Sequence, residues 1–508
     1  MPQPNKAAWL ALAAILPVPL ISMVIVPFYD TSEPRYAEIA RVMAQTGDWI
    51  TPWFSDGVPF WGKPPVSFWA QAVSMKMLGF TEFAGRFPSW LCFVLSCALL
   101  IIGLRPLKSA RVAIWAAIIY STCTLAYISS GAVLTDPFLA LGTTLSLVSF
   151  ARAAQGNGGS VPACTAGSSN AAASQPEGGM QRWRYGVFAG LAIGLLAKGP
   201  LAALIITAPI TIWSLFDPRV RQATARLPWR SGLALVALVT IPWYIAAEIK
   251  TPGFIDYFFV GEHYRRFLDP GWAGDLYGSA HRRTYGTIWI YWLQASFPWG
   301  LLALAVMAGA LRSDRLRQAL RAVYTEPLFG YWLSSALFTP VFFTFSANIL
   351  WTYLLPSLAG FSVLAAILAV EVADRYPALR SRLLWAAVLV PAVVSAGSAV
   401  MWIRPDLRNT ERELVRYAMR QPEPSAPLFY LSELPFSARF YSAGRAREIT
   451  EAELDRLVRR GVAFYLAIPK ERSKAVMRGL HEPLLPVFSN KRFDLVELRG
   501  KRGDRISG

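Results

Sequence analysis

Apolar residues run in long, nearly unbroken stretches at about 7–27, 84–104, 110–130, 133–153, 183–197, 199–216, 230–249, 287–311, 327–345, 349–370 and 382–403. A hydrocarbon core about 30 Å thick takes about 20 apolar residues per helical crossing, so this spacing predicts an all-α polytopic membrane protein with about 11–13 transmembrane helices. The first stretch, from Lys6 to Pro27, is long enough to span and leads directly into a charged segment. It therefore reads as an uncleaved helix rather than a secretory signal peptide.

Between the apolar stretches the pattern changes in three places. Pro34 can start an amphipathic helix over 34–46, with Ala37, Ile39, Ala40 and Met43 on one side. Pro64 can start another through Trp69, Val73 and Met77, and both are expected to lie along the membrane surface. Residues 154–181 are rich in Gly, Ala and Ser and read as a flexible cytoplasmic linker. Beyond Arg404, Leu428–Leu431 and Ala463–Ile468 read as short strands and Thr450–Arg460 as a helix. The chain thus divides into a membrane domain, 1–403, and a small C-terminal α/β domain, 404–508.

Composition supports the membrane reading: 54% of the 508 residues are hydrophobic and 16% charged, against about a quarter charged in soluble domains. The formal charge of +18 would suit nucleic acid, anionic lipid or an anionic substrate. Its placement excludes nucleic acid, because the excess lies in short loops and in the C-terminal hundred residues rather than in a compact basic domain. The four cysteines show neither metal-ligand nor disulfide spacing. Basic loops resist translocation, so the segments around Arg105–Arg111, Arg182–Arg184, Arg219–Arg230, Arg312–Arg321 and Arg375–Arg382 are assigned to the cytoplasm. Asp30–Glu82, the turn before Asp136, Lys198, Glu248–Arg283 and Asn348 then face outward, as does the C-terminal domain.

The outward segments carry the candidate chemistry. Asp30, Glu33, Arg35, Tyr36 and Lys63 sit where the first loop leaves the membrane, within reach of a lipid-linked phosphate; interfacial charges with Trp anchors are equally common there. Asp136, before Pro137, is either an N-cap or a carboxylate orienting a cation or a substrate hydroxyl. Lys198 interrupts an apolar stretch and is either a functional ionisable group or a snorkelling side chain. In Gly261-Glu262-His263-Tyr264-Arg265-Arg266, His263 and Arg266 belong to a polar cluster suited to an anion, although a lone His is more often a structural hydrogen-bonder.

Glu33-Pro-Arg-Tyr-Ala-Glu-Ile39, Gly47-Asp-Trp49, Lys63-Pro-Pro65, Phe83–Pro88, Leu134-Thr-Asp136, Lys198-Gly199, Phe258–Phe267 and Thr352-Tyr353-Leu-Leu-Pro356 occur in that order over about residues 8–370. Together they resemble the ArnT-like lipid A aminoarabinose transferases and, more widely, the protein mannosyltransferase superfamily of GT-C glycosyltransferases. The resemblance implies a GT-C fold in the bacterial inner membrane, an undecaprenyl-phosphate-linked sugar as donor, lipid A as acceptor and an active site facing the periplasm. It also implies that modification with an amino sugar would lower sensitivity to cationic antimicrobial peptides. Three positions depart from the family pattern. Ser32 stands where an Asp often precedes the Glu, leaving Asp30 nearest. Gly62 stands where family members often carry a Glu implicated with the loop His in metal binding, and Asn348 stands where a Lys is frequent. No cofactor is expected, use of a divalent metal is left open by Gly62, and the expected sugar is aminoarabinose or another such as glucosamine.

On this reading an acceptor oxygen attacks the anomeric carbon and the polyprenyl phosphate departs. A phosphate acceptor is already a nucleophile at neutral pH, so the main task is to hold two anions together. Lys63, Arg35 and Arg266 are assigned to that clamp; Asp30, Glu33 and Asp136 orient the cations or bind the sugar, and Lys198 and Tyr353 line the same cavity. Two rivals follow: transfer to a protein hydroxyl, which needs Asp30 or Glu33 as base, and a lipid or sugar flippase, which the gathering of charge at one face disfavours.

Overall fold

The computed structural model describes residues 6–155, 177–420, 426–461, 463–479 and 485–498. Each apolar stretch of the sequence coincides with a helix or a bent helix pair. Among the described residues, six helices are long and apolar enough to span: Lys6–Ile25, Glu82–Leu107, Asp136–Ala154, Trp229–Lys250, Trp351–Arg375 and Leu379–Ile403. Two bent pairs raise this to 8, namely Ala110–Thr122 with Thr124–Ser130 (70°) and Thr287–Ser296 with Trp299–Gly309 (100°). Pro200–Phe216 and Phe329–Phe343 are apolar but shorter.

The two bends explain each other. A break frees backbone groups that hydrocarbon cannot solvate, so they need partners within the protein. Pro298 opens one break, and the carbonyl of Phe297 just before it accepts from Thr124 N (3.0 Å) and Thr124 Oγ1 (3.1 Å) at the other. Elsewhere the bundle is drawn together by small residues: at Gly142 a Cβ would stand 2.5 Å from the carbonyl of Gly190 on the facing helix Glu177–Lys198. Of the linker expected at 154–181, residues 154–155 and 177–181 are helical, and the remainder lies outside the described residues.

One end of the bundle is basic and tied by pairs such as Lys108–Glu326 and Arg111–Asp374 (2.6 Å). The other end holds helices Ser32–Thr46 and Val66–Leu78, joined by a hairpin of β1 (Trp53–Ser55) and β2 (Val58–Pro59), and the segment Asp256–Leu268. Ala37, Ile39, Ala40 and Met43 are buried as their spacing predicts. In the second helix the buried face is Phe68, Ala72 and Met75, while Val73 and Met77 point outward.

The C-terminal region contains β3 (Leu428–Leu431), β4 (Arg447–Ile449), β5 (Phe464–Pro469), β6 (Leu485–Ser489) and β7 (Phe493–Leu498) in the order β4-β3-β5-β7-β6. β3 runs parallel to both β4 and β5, and β7 is antiparallel to β5 and β6. Helix Glu451–Arg459 begins at a capping box between Thr450 and Glu453. This α/β unit docks on the polar end of the bundle: Tyr441 Oη accepts from Phe28 N (2.7 Å) and donates to Glu82 Oε1 (3.0 Å).

Candidate active site

Two cavities open at the polar end and share a wall made of Lys63, Lys198, Glu262, Arg266 and Tyr353. One, of about 290 Å³, is lined on its far side by Leu201, Leu204, Phe258, Phe267, Phe342 and Phe343. The other, of about 340 Å³, is lined by Arg35, Tyr36, Asp136, Asp275, Tyr277 and His281 among others. An apolar chamber and a polar one therefore meet at a cationic partition. That arrangement suits an amphiphile whose charged group sits between a hydrocarbon tail and a hydrophilic head.

The partition is assembled from segments distant in sequence. Lys63 follows the hairpin, and its Nζ lies 2.5 Å from Gly62 O and 3.2 Å from Glu262 Oε2. Arg266 Nη1 reaches Glu262 Oε1 at 2.8 Å and Asp275 Oδ2 at 3.3 Å. Lys198 ends its helix and pairs with Asp136 at 3.1 Å, both side chains being less than a tenth exposed, with the ammonium 5.5 Å from the Tyr353 ring centre. Arg35 Nη1 donates to Tyr277 O (2.6 Å).

The local field is positive. Burial alone would push the Glu262 carboxyl up, but Lys63 and Arg266 pull it down to about 2. Burial likewise raises the Tyr36 hydroxyl, yet Arg35, Lys63 and Lys198 outweigh it and the net direction is downward. Burial also works against the charge on Arg266, and Tyr353, Glu262 and Asp275 more than offset it.

Of the residues singled out in the sequence, Lys63, Asp136, Arg35, Tyr36, Lys198, Arg266 and Tyr353 line the polar chamber, and His263 lines the apolar one. Asp30 and Glu33 do not line either cavity, which corrects the expectation that they face the reacting groups. Asp30 is turned toward the C-terminal domain, where it accepts from Ser437 N (2.9 Å), Ser437 Oγ (2.6 Å) and Arg492 Nη2 (2.5 Å). Glu33 accepts from buried Arg86 through both oxygens (3.0 and 2.8 Å) and from Val133 N (2.9 Å). Each carboxylate has its lone pairs committed to positioning a neighbouring element.

Several contributors escaped the sequence reading. Glu262 was legible only as a neighbour of His263, and Asp275 and Tyr277 lie in a loop without a motif. Asn348 donates through Nδ2 to Arg266 O and Asp269 O (2.6 Å each) and accepts from Gly271 N (2.8 Å). It pins the turn that carries Arg266.

The metal ligation implied for His263 does not fit these residues. Its Nδ1 faces Phe258 O at 2.7 Å and its Nε2 faces Lys198 O at 3.0 Å, so both ring nitrogens are directed at backbone. Burial, assisted by Lys63, holds its pKa below the ordinary value, and a neutral ring can donate to only one of the two. Gly62 adds no ligand, and a Cβ there would already stand 3.0 Å from the Phe60 ring.

Residues 26–258 match the family model described as dolichyl-phosphate-mannose-protein mannosyltransferase. An undecaprenyl phosphate-alpha-4-amino-4-deoxy-L-arabinose arabinosyl transferase of Pectobacterium atrosepticum is 30% identical over 361 residues, covering 70% of this chain and 57% of that protein. A protein of the same name from Pectobacterium carotovorum is 29% identical over 389 residues, covering 73% and 62%. The crystal structure of ArnT from Cupriavidus metallidurans bound to undecaprenyl phosphate superimposes with a TM-score of 0.74 at 16% identity, covering 97% of this chain and 99% of that one. The chain shares the fold of ArnT. It is a multi-pass membrane protein, and the match spans less than two thirds of the length of these curated relatives. The apo structure of the same ArnT gives a TM-score of 0.71 over the same shares, so the ArnT-like fold includes the C-terminal α/β unit.

Proposed function

We propose that this ArnT-like protein is a glycosyltransferase that moves a sugar from undecaprenyl phosphate to a phosphate of lipid A at the periplasmic face of the bacterial inner membrane. The observation that carries this reading is the cationic partition of Lys63, Lys198 and Arg266 between an apolar and a polar chamber. A polyprenyl tail matches the Phe-lined side, the donor phosphate matches the partition, and the sugar and acceptor phosphate match the polar side with Arg35. The relatives' names supply the donor and the amino sugar, aminoarabinose, with glucosamine as the alternative.

The chemistry follows from the charges. An acceptor phosphate oxygen attacks the anomeric carbon, the bond from that carbon to the donor phosphate oxygen breaks, and undecaprenyl phosphate leaves with the electron pair. The family resemblance implies inversion. The side chains at the partition offset the repulsion between two anions and the charge that builds on the leaving group. Within the polar chamber Asp136, Glu262 and Asp275 are each paired with a cation. None is free to serve as a strong base, which favours an acceptor that is already ionised over a protein hydroxyl.

Mass spectrometry of lipid A from cells with and without the gene tests the reading. Loss of a covalent sugar substituent on deletion, restored by the wild-type gene and not by Lys63→Ala, is the expected result. Lipid A identical in all strains would remove lipid A as acceptor, and a flippase would likewise leave it unsubstituted by this protein.

A further inference from the structure

Among the described residues Glu262 is the one carboxylate that lines both chambers, and it bridges two of the cations that meet there. Its Oε2 is 3.2 Å from Lys63 Nζ and its Oε1 is 2.8 Å from Arg266 Nη1, while the side chain is only 6% exposed. Carboxylate and phosphate oxygens engage ammonium and guanidinium groups in the same way, through short charge-assisted hydrogen bonds. A carboxylate spanning both donors therefore makes the contacts that a phosphate at this partition would make. Tyr257 Oη, 3.4 Å from Oε1, supports it from the side, and Asp275 keeps a second hold on Arg266.

We propose that Glu262 is a positioning residue that competes with the lipid phosphate for Lys63 and Arg266 and so sets how tightly the site grips its phosphate ligand. The inference rests on the reading of the partition as a donor-phosphate site. Its physical content is a trade. Fixed anionic neighbours hold the two cations in place and keep them charged, and the same charge repels any phosphate that approaches. The site thereby avoids binding the departing undecaprenyl phosphate so tightly that release limits turnover.

The test uses the full-length protein in nanodiscs with undecaprenyl phosphate as the probe and undecaprenol as its neutral control. Glu262→Gln keeps the shape and removes the charge. It is expected to bind undecaprenyl phosphate about tenfold more tightly than wild type, with KM and kcat for the donor both lowered. Equal or weaker binding by a Glu262→Gln protein that melts like wild type would overturn the proposal, leaving Glu262 as a scaffold for the cations. Should Glu262→Gln fail to fold, Glu262→Asp carries the test. Its shorter side chain reaches one cation only, so tighter binding than wild type supports the proposal and unchanged or weaker binding overturns it. Wild-type protein that does not distinguish undecaprenyl phosphate from undecaprenol would instead overturn the phosphate-site reading, and this inference with it.

Discussion

Asp30 and Arg492 meet at 2.5 Å across 462 positions of sequence, and the carboxylate is 3% exposed where they do. The residue that the sequence marks as a candidate catalytic acid is a fastening point for the C-terminal domain. Arg492 is shared with Glu411 (2.8 Å), so one guanidinium serves two buried carboxylates. Asp30→Asn is expected to destabilise the protein by about 1–3 kcal/mol, read as a lower melting temperature and faster proteolysis of the C-terminal domain. Donor turnover should fall only in step with folding. A stable Asp30→Asn protein without turnover would return Asp30 to the chemistry.

The same cluster makes stability depend on pH. Burial, resisted by Arg492, pushes the Glu411 carboxyl up from an ordinary 4.5 to about 7. The folded state therefore holds a proton that the unfolded chain has released within that window. Stability is greatest below the lower value, falls as pH rises toward the higher one, and is level beyond it. Thermal melts between about pH 5 and pH 8 should show this decline, and Glu411→Gln should flatten it; an unchanged slope in Glu411→Gln would assign the dependence to another group.

Lys198 and Asp136 form a pair with both side chains under a tenth exposed. Removing one partner leaves a buried charge, so Asp136→Ala should cost about 3–5 kcal/mol. The double variant Asp136→Leu, Lys198→Met should recover most of that stability and remain inactive. Recovery of transfer together with stability would make the pair structural.

Gly199 follows Lys198 with φ +64°, and a Cβ there would stand 2.6 Å from the Phe258 ring and 3.4 Å from His263. Gly199→Ala combines the strain of a positive-φ, extended-ψ backbone (φ 64°, ψ −144°) that glycine alone adopts readily, about 1–3 kcal/mol, with displacement of the aromatic wall of the apolar chamber. A KM for the donor raised several-fold, with the acceptor KM unchanged, is the expected outcome; equal effects on both would argue against that wall as the tail site.

The legibility of these features follows their range along the chain. Apolar runs are local, and the sequence shows them directly. A run such as 287–311 does not by itself reveal the 100° bend at Pro298 or that Thr124 satisfies the break. Site residues carried by short motifs, Lys63, Asp136, Lys198 and Arg266, do line one pair of chambers. Asp30 and Glu33 look the same in sequence, but their partners Arg492 and Arg86 lie 462 and 53 positions away, and no periodicity points to them. Glu262 and Asn348 were visible as letters, and their functions depend on what folding places opposite them.

Binding of undecaprenyl phosphate to the full-length protein decides whether the site grips the lipid by its charge. Wild type should bind it saturably and at least about tenfold more tightly than undecaprenol, with that preference lost in Lys63→Met and Arg266→Met proteins that remain folded. Equal affinity of wild type for the phosphate and the alcohol, or a preference that survives both substitutions, would contradict a grip by charge.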